Sequence, residues 1–209
     1  MKQELMLHHD PTKILAVGMS GCGKTRWAND FILKSRYQSY FIFDHDRQFS
    51  TRNGLTPAMT AAQILPQVKQ GFVVFDPSEM FSDTKVALEW FAQYAYRMSE
   101  RLPGTKLFFC DELQDLTGTH DVSEYVRRVL VSGRNRGLDF LACSLQYNMV
   151  HNSIRGQCTQ TIAFKTEEKL ALSALTERGF KAEEIAQLKP GEYVQRDGKT
   201  GNEVRGKVF

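Results

Sequence analysis

Short apolar runs alternate along the chain with longer segments in which apolar residues recur every three or four positions. The runs predict six strands, at Lys13–Val17, Ser39–Phe43, Gly71–Phe75, Lys106–Cys110, Leu138–Ser144 and Thr159–Phe164. The segments with helical periodicity predict helices at Lys24–Lys34, Thr60–Lys69, Ser82–Leu102, Asp121–Ser132, Glu167–Arg178 and Ala182–Leu188. Strands that alternate with helices indicate an α/β fold, with a mainly parallel central sheet flanked by helices.

Two further segments carry turn residues. The polar segment Arg47–Leu55 contains an Asn-Gly pair, which predicts a loop. Near the end of the chain, Glu192–Arg196 and Val204–Val208 flank the turn-forming residues 197–201. We therefore predict a terminal β-hairpin there.

The longest predicted helix carries a stripe of large apolar side chains. Val86, Trp90, Tyr94 and Met98 follow one another at intervals of four residues, flanked by Ala87, Phe91 and Ala95. We interpret this stripe as the side of the helix that packs into the core, because an amphipathic helix buries its apolar face.

The composition is that of an ordinary globular chain, with 209 residues, 42% hydrophobic and 24% charged. We expect one domain over residues 1–209, with a core at about 13–196 and the hairpin at about 191–209. A net charge of +3 permits a nucleic-acid partner without requiring one. Neither a signal peptide nor a membrane-spanning run is apparent. The four cysteines show no C-x-x-C pair, so no zinc site or disulfide framework is indicated.

A phosphate-binding loop is indicated where the first predicted strand meets the first helix. Residues 18–25 read Gly-Met-Ser-Gly-Cys-Gly-Lys-Thr, which fits G-x-x-x-x-G-K-[ST] in its required strand-and-helix context. Glycines let backbone N–H groups surround an anion, and the helix points its positive end at the same anion. A chance glycine-rich turn would lack that context. The candidate nucleotide-binding residues are Gly18, Ser20, Gly21, Cys22, Gly23, Lys24 and Thr25.

Polar side chains also follow two later strands. Asp111 and Glu112 come directly after the strand Lys106–Cys110, at the kind of position where an open parallel sheet binds its ligand. Asp111 and Thr25 are suited to hold Mg²⁺, while Glu112 is suited to orient and deprotonate a water molecule. Gln146 follows the next strand and is suited to contact the γ-phosphate or the attacking water, with a helix cap or an ordinary loop residue as the alternative. A solvated acidic loop is the alternative for the carboxylate pair.

Four arginines lie between residues 126 and 138 without an intervening acidic residue. A solvated helix face accounts for Arg127 and Arg128. Arg134 and Arg136 are flanked by glycines just before a strand, which that explanation does not cover. An arginine can stabilise the transition state on a neighbouring subunit's nucleotide, or it can contact a phosphodiester.

Together with residues 154–166 and 190–194, these motifs resemble the FtsK–HerA superfamily of P-loop motors. The size resembles that of its compact genome-packaging ATPases from viruses with internal membranes. The most specific feature is Gly-Arg-Asn-Arg-Gly followed by a strand that ends at Gln146. The resemblance implies a RecA-like P-loop fold that uses ATP and Mg²⁺. Leu145 departs from the family pattern, which has a serine or threonine before the glutamine.

The resemblance also assigns roles. Lys24 and Thr25 match the Walker A lysine and threonine, Asp111 the Walker B aspartate, and Glu112 the catalytic glutamate. Gln146 matches the polar sensor. Arg134 matches the arginine finger better than Arg136 does, and both are kept as candidates.

The family implies a homo-oligomeric ring, commonly a hexamer, that hydrolyses ATP at subunit boundaries and moves double-stranded DNA into a preformed capsid. Its further partners would be capsid or vertex proteins and, through partner proteins, the internal viral membrane. Such a motor would work in the host cytoplasm and at the packaging vertex of the virion. Arg47, Arg52 and Arg155 are candidate DNA contacts, with ordinary surface loops as the alternative.

Two other functions stay open from the sequence. A small-molecule P-loop kinase would have a similar size, although its arginines would be expected in a lid over the nucleotide. A non-catalytic, nucleotide-gated assembly factor would not need both Asp111 and Glu112.

Overall fold

Eight strands form one sheet in the computed structural model, which describes residues 11–117 and 122–209. The strands are β1 (Lys13–Val17), β2 (Ser39–Phe43), β3 (Phe72–Phe75), β4 (Lys106–Cys110), β5 (Leu138–Ser144), β6 (Gln160–Phe164), β7 (Glu192–Asp197) and β8 (Glu203–Lys207). The helices are α1 (Lys24–Lys34), α2 (Gln48–Asn53), α3 (Ala61–Lys69), α4 (Thr84–Met98), α5 (Leu113–Leu116), α6 (Glu124–Ser132), α7 (Asn152–Gln157), α8 (Lys169–Glu177) and α9 (Ala182–Gln187). Short 3-10 turns occupy Gly133–Arg136 and Tyr147–Met149.

The sheet is parallel through its first six strands and antiparallel at one end. Its strand order is β3-β2-β4-β5-β1-β6-β7-β8, and β7 and β8 pair antiparallel with their neighbours. This confirms the predicted α/β fold with a mainly parallel sheet and a terminal hairpin. The order places β4, β5 and β1 side by side, so the residues that follow these three strands meet at one edge.

Helices cover both faces of the sheet. In β2, Phe41 and Phe43 face one buried cluster, which includes Phe91 of α4. Tyr40 and Ile42 face the other buried cluster, which includes the inner side of α1. Because both faces are covered, the strands read as continuous apolar runs rather than as an alternating pattern. This arrangement holds α1, and with it the phosphate loop, firmly against the sheet.

The loop predicted at Arg47–Leu55 is wrong over most of its length, because residues 48–53 form α2. The carboxylate of Asp44 accepts hydrogen bonds from the backbone N–H groups of Phe49 and Ser50, at 2.9 and 2.8 Å. Arg47 precedes the helix with a left-handed φ of 54°. The Asn-Gly pair that suggested a loop in fact ends the helix, with Gly54 at φ 62°.

The stripe predicted to face the core of α4 is only partly correct. Val86 is 55% exposed, whereas the flanking residues of the stripe, Ala87, Phe91 and Ala95, are fully buried as predicted. Four residues turn a helix through ~400°, so side chains at a strict interval of four rotate around the helix axis by ~40° at each step. Trp90 still packs at the margin of the core.

Two further observations bear on the predictions. Asp121, the predicted start of a helix, lies outside the described residues, and α6 begins at Glu124. In the part of the chain that the structure describes, no helix is long and apolar enough to cross a membrane.

Candidate active site

The phosphate loop connects the carboxyl end of β1 to the start of α1. The Gly18 N–H donates to the carbonyl oxygen of Ser144, which ties the loop to the end of β5. A Cβ atom on Gly18 would lie 2.6 Å from the Cβ of Phe164, so glycine is required at this position. Since α1 begins at Lys24, its first unpaired N–H groups face the loop and favour a bound anion.

Lys24, Thr25 and Asp111 form the centre of the site. The buried Lys24 folds over the loop, with its Nζ 3.1 Å from the carbonyl oxygen of Met19. The Thr25 hydroxyl donates to Oδ2 of Asp111 at 2.7 Å. Hydroxyl and carboxylate oxygens are ligand types that Mg²⁺ accepts, directly or through water. The residues present therefore fit a Mg²⁺ ion beside bound phosphates.

Glu112 follows Asp111 with an unusual backbone conformation. Its φ and ψ are both 47°, in the left-handed region, and its N–H donates to Asp111 Oδ1 at 2.9 Å. The side-chain amide of Gln114 donates to Glu112 Oε2 at 2.6 Å and accepts from the Leu145 N–H at 3.1 Å. Sequence reasoning missed Gln114, because its contact with the tip of β5 arises only in the folded sheet.

A cleft of about 330 Å³ brings the predicted nucleotide-binding residues together with Glu112. Of the predicted residues, Ser20, Gly21, Gly23, Lys24, Thr25 and Glu112 line it. Four residues that were not predicted for nucleotide binding also line it: Arg26, Gln48, Arg52 and Phe209. The cleft therefore joins the phosphate loop, the end of β4, helix α2 and the last residue of the sequence.

Three comparisons set this arrangement beside known proteins. The genome-packaging NTPase of Sulfolobus turreted icosahedral virus 2, in complex with ATP-γS, superimposes with a TM-score of 0.77. That match covers 95% of this chain and 98% of the other, at 22% sequence identity. The chain has the fold of the P-loop ATPases. No protein-family model matches the sequence, and no curated protein matches it significantly.

Two more structures share this P-loop ATPase fold. The DNA-packaging ATPase of Sulfolobus turreted icosahedral virus has a TM-score of 0.77 at 19% identity, covering 96% of this chain and 100% of that one. VirB4 of Thermoanaerobacter pseudethanolicus has a TM-score of 0.66 at 10% identity, covering 96% of this chain and 90% of that one. The resemblance predicted from the motifs is thereby confirmed at the level of the fold.

Gln146 lies just beyond β5, the strand between β4 and β1. This places it at the same edge of the sheet as the phosphate loop and Glu112. Its side chain is half-buried and makes no hydrogen bond with residues 11–117 or 122–209. Its backbone carbonyl accepts from the Ser144 hydroxyl at 3.2 Å. Ser144 therefore supports the strand tip, one residue before Leu145, the position that differs from the family pattern.

Arg134 and Arg136 lie at the opposite edge of the P-loop ATPase sheet, in the turn that precedes β5. The seven residues of β5 span ~23 Å at ~3.3 Å each, so neither side chain can reach the phosphate loop of its own subunit. Burial lowers the pKa of the Lys13 ammonium; Cys158 opposes this shift and the nearby Arg134 guanidinium adds to it. Lys13 is the first residue of β1, which also places Arg134 at the amino edge.

The two arginines differ in their contacts. Arg136 donates to Glu100 Oε2 at 2.8 Å and to the Tyr96 carbonyl at 3.1 Å, and its guanidinium stacks on the Tyr96 ring. Arg134 is exposed and makes no ion pair or side-chain hydrogen bond within the described ranges. Arg134 is therefore the one available to a second molecule, and Arg136 is occupied within its own subunit.

The three arginines predicted to contact DNA do not lie together. Arg47 and Arg52 follow β2 at the carboxyl edge, whereas Arg155 lies in α7, before β6, towards the amino edge. Arg47 forms an ion pair with the buried Asp76 at 2.5 Å. Arg52 lines the nucleotide cleft, as described above, and Arg155 stacks on the ring of Tyr147.

Two further groups of the site are the aromatic ring of Phe209 and the thiol of Cys22. The Phe209 ring lies against Gly23, 3.4 Å from where a Cβ would stand, and the Arg26 guanidinium lies over it at 4.9 Å. Burial raises the pKa of the Cys22 thiol in spite of the neighbouring Lys24. The thiol therefore stays protonated at neutral pH, and Cys22 is suited to contribute through its backbone alone.

Proposed function

We propose that this protein is an ATPase that moves double-stranded DNA into a preformed viral capsid, acting as a homo-oligomeric ring. The observation that carries the proposal is the division of catalytic groups between two edges of the sheet. The phosphate loop and Glu112 occupy one edge, and the exposed Arg134 occupies the other. A ring brings the two edges of neighbouring subunits together, which completes each site.

The residues at the carboxyl edge can divide the hydrolysis step among them. Lys24 neutralises charge on the β- and γ-phosphates, and Gln146 contacts the γ-phosphate or the attacking water. Glu112 orients that water and accepts its proton as the oxygen bonds to the γ-phosphorus and the bond to the bridging oxygen breaks. Thr25 and Asp111 would hold a Mg²⁺ ion, which would supply further charge neutralisation on the phosphates.

Support for the packaging role comes from fold similarity and charge. Two viral proteins with this fold and nearly the same length are described as a genome-packaging NTPase and a DNA-packaging ATPase. A charge of +3 per chain is multiplied in a ring, which favours a polyanion in the channel. We place the ring, commonly a hexamer in this family, in the host cytoplasm and at the capsid vertex. Capsid or vertex proteins would supply docking and any contact with the internal membrane.

The deciding experiment is ATP hydrolysis with and without duplex DNA, together with the particle mass of the protein. We expect DNA-stimulated hydrolysis by a ring, and a stimulation that falls steeply with salt because the contact is electrostatic. Glu112→Gln should retain ATP binding and lose hydrolysis. Normal turnover by that variant would refute the catalytic assignment, and phosphoryl transfer to a metabolite without DNA stimulation would support a kinase instead.

A further inference from the structure

We infer that Gln114 is a positioning residue that orients Glu112 and couples it to the strand tip that carries Gln146. This inference rests on the proposed ATPase function and deepens it. None of the sequence motifs includes Gln114, and it does not line the nucleotide cleft. Its part in the reaction would therefore be to act through Glu112 rather than on the nucleotide.

The contacts of Gln114 connect two elements of the site. Its Nε2 donates to Glu112 Oε2 at 2.6 Å and lies 3.2 Å from Asp115 Oδ2. Its Oε1 accepts from the Leu145 N–H at 3.1 Å. The side chain is buried, with 8% of the residue exposed, so water does not readily replace either hydrogen bond. The end of β4 and the end of β5 are thus joined through one amide.

The first consequence concerns the orientation of Glu112. A carboxylate has two oxygens, and Gln114 holds one of them while leaving Oε1 for a water molecule. Glu112 directly precedes the four-residue helix α5, so the helix by itself offers little support to its side chain. Holding a catalytic group in place matters, because a misplacement of ~1 Å can slow a reaction by ~100-fold.

The second consequence concerns coupling between strands. Leu145 directly precedes Gln146, so a shift of the β5 tip when Gln146 engages or loses a γ-phosphate would move the Leu145 N–H. Gln114 would transmit that shift to Glu112. An amide suits this position because it offers a donor on one side and an acceptor on the other.

Two substitutions separate these contacts. Gln114→Leu removes the hydrogen bonds to Glu112, Asp115 and Leu145. Gln114→Glu keeps an acceptor for Leu145 and replaces the donor to the two carboxylates with a like charge. We expect Gln114→Leu to lower kcat by about 10- to 100-fold while ATP binding, measured with a fluorescent ATP analogue, changes by less than about threefold. Retained binding also shows that the variant is folded.

The split between catalysis and binding distinguishes positioning from a general structural role. Gln114→Glu should lower kcat at least as much as Gln114→Leu, because a like charge then lies beside Glu112, while ATP binding again changes by less than about threefold. A purely structural defect would weaken ATP binding together with kcat.

A matched control is available elsewhere in the sheet. Gln195 is a partly buried glutamine in β7 whose Nε2 donates to Gln160 Oε1 at 3.0 Å, away from the cleft. Gln195→Leu should leave kcat unchanged. An unaffected kcat in Gln114→Leu, or a loss of ATP binding that matches the loss of kcat, would overturn the inference while the unmodified protein still hydrolyses ATP. Absence of hydrolysis by the unmodified protein would overturn the proposed function as well.

Discussion

Mixing two inactive variants tests whether Arg134 acts on a neighbouring subunit. Arg134→Ala keeps an intact Glu112 but cannot assist the next site, and its hydrolysis should fall by ~10³- to 10⁵-fold. Glu112→Gln keeps an intact Arg134 but cannot hydrolyse its own ATP. Because the two groups lie at opposite edges of the sheet, a boundary between one variant and the other can assemble a complete site.

The expected recovery follows from counting boundaries. If a fraction f of the subunits carries Arg134→Ala and assembly is random, a complete site forms at a fraction f(1−f) of the boundaries. A boundary is complete only where the Glu112 of an Arg134→Ala subunit meets the Arg134 of a Glu112→Gln subunit. Hydrolysis therefore peaks at equal mixing, at about a quarter of the normal rate. Either variant alone lies near zero, so the curve of rate against mixing ratio is bell-shaped.

The assay is steady-state phosphate release at a fixed total protein concentration, with an affinity tag on one variant to show that mixed rings form. A flat, inactive curve in rings that contain both variants would refute action in trans. Repeating the titration with Arg136→Ala provides the second arm. Since Arg136 is held by Glu100 and Tyr96, we expect structural damage in that variant and no bell-shaped recovery. The reverse pattern would make Arg136 the finger.

Three further predictions concern Arg47, Arg52 and the four cysteines. Arg47→Met should lower the free energy of unfolding in urea by about 1–2 kcal/mol, less than the loss for a fully buried pair because half of the Arg47 side chain is exposed. Burial raises the pKa of Asp76, but hydrogen bonds from Ser78 and Arg47 outweigh this effect and lower the pKa overall. The loss of unfolding free energy should therefore have its full size above about pH 4 and vanish at lower pH. A loss that stays constant with pH would contradict this reasoning. Arg52→Ala should weaken ATP binding by about 5- to 30-fold with DNA affinity unchanged, whereas a loss confined to DNA binding would restore its predicted role. All four cysteines are buried, so a thiol reagent at neutral pH should label the native protein slowly and the urea-unfolded protein at four sites. Rapid labelling of Cys22 in the native protein would contradict the burial of its thiol.

The parts of the site that could be predicted are local in sequence. Strand, glycine-rich loop and helix follow one another within residues 13–34, and each pattern supports the next. Asp111 and Glu112 are likewise marked by the apolar strand directly before them. In a parallel sheet such positions share an edge whatever the strand order is, so their meeting did not depend on knowing the topology.

The parts that could not be predicted arise from strand order and helix geometry. Gln114 meets Leu145 because β4 lies beside β5, and Arg52 reaches the cleft because β2 lies beside β4. Helix α2 was missed because its N–H groups are satisfied by Asp44, several residues upstream of the usual capping position. Phe209 contacts Gly23 from the far end of the sequence, and no local pattern marks that contact.

The left-handed backbone conformation of Glu112 lowers the stability of the fold, and the side chain held in that conformation is the proposed catalytic base. Among the residues in the described ranges, Glu112 and Arg47 are the two non-glycine residues with a positive φ. A side chain in that conformation costs ~1 kcal/mol relative to glycine. Replacing Glu112 with glycine would therefore relieve the backbone while removing the proposed base. A design procedure that scores stability alone would favour that replacement, so selection of this protein for thermostability alone would act against the proposed turnover.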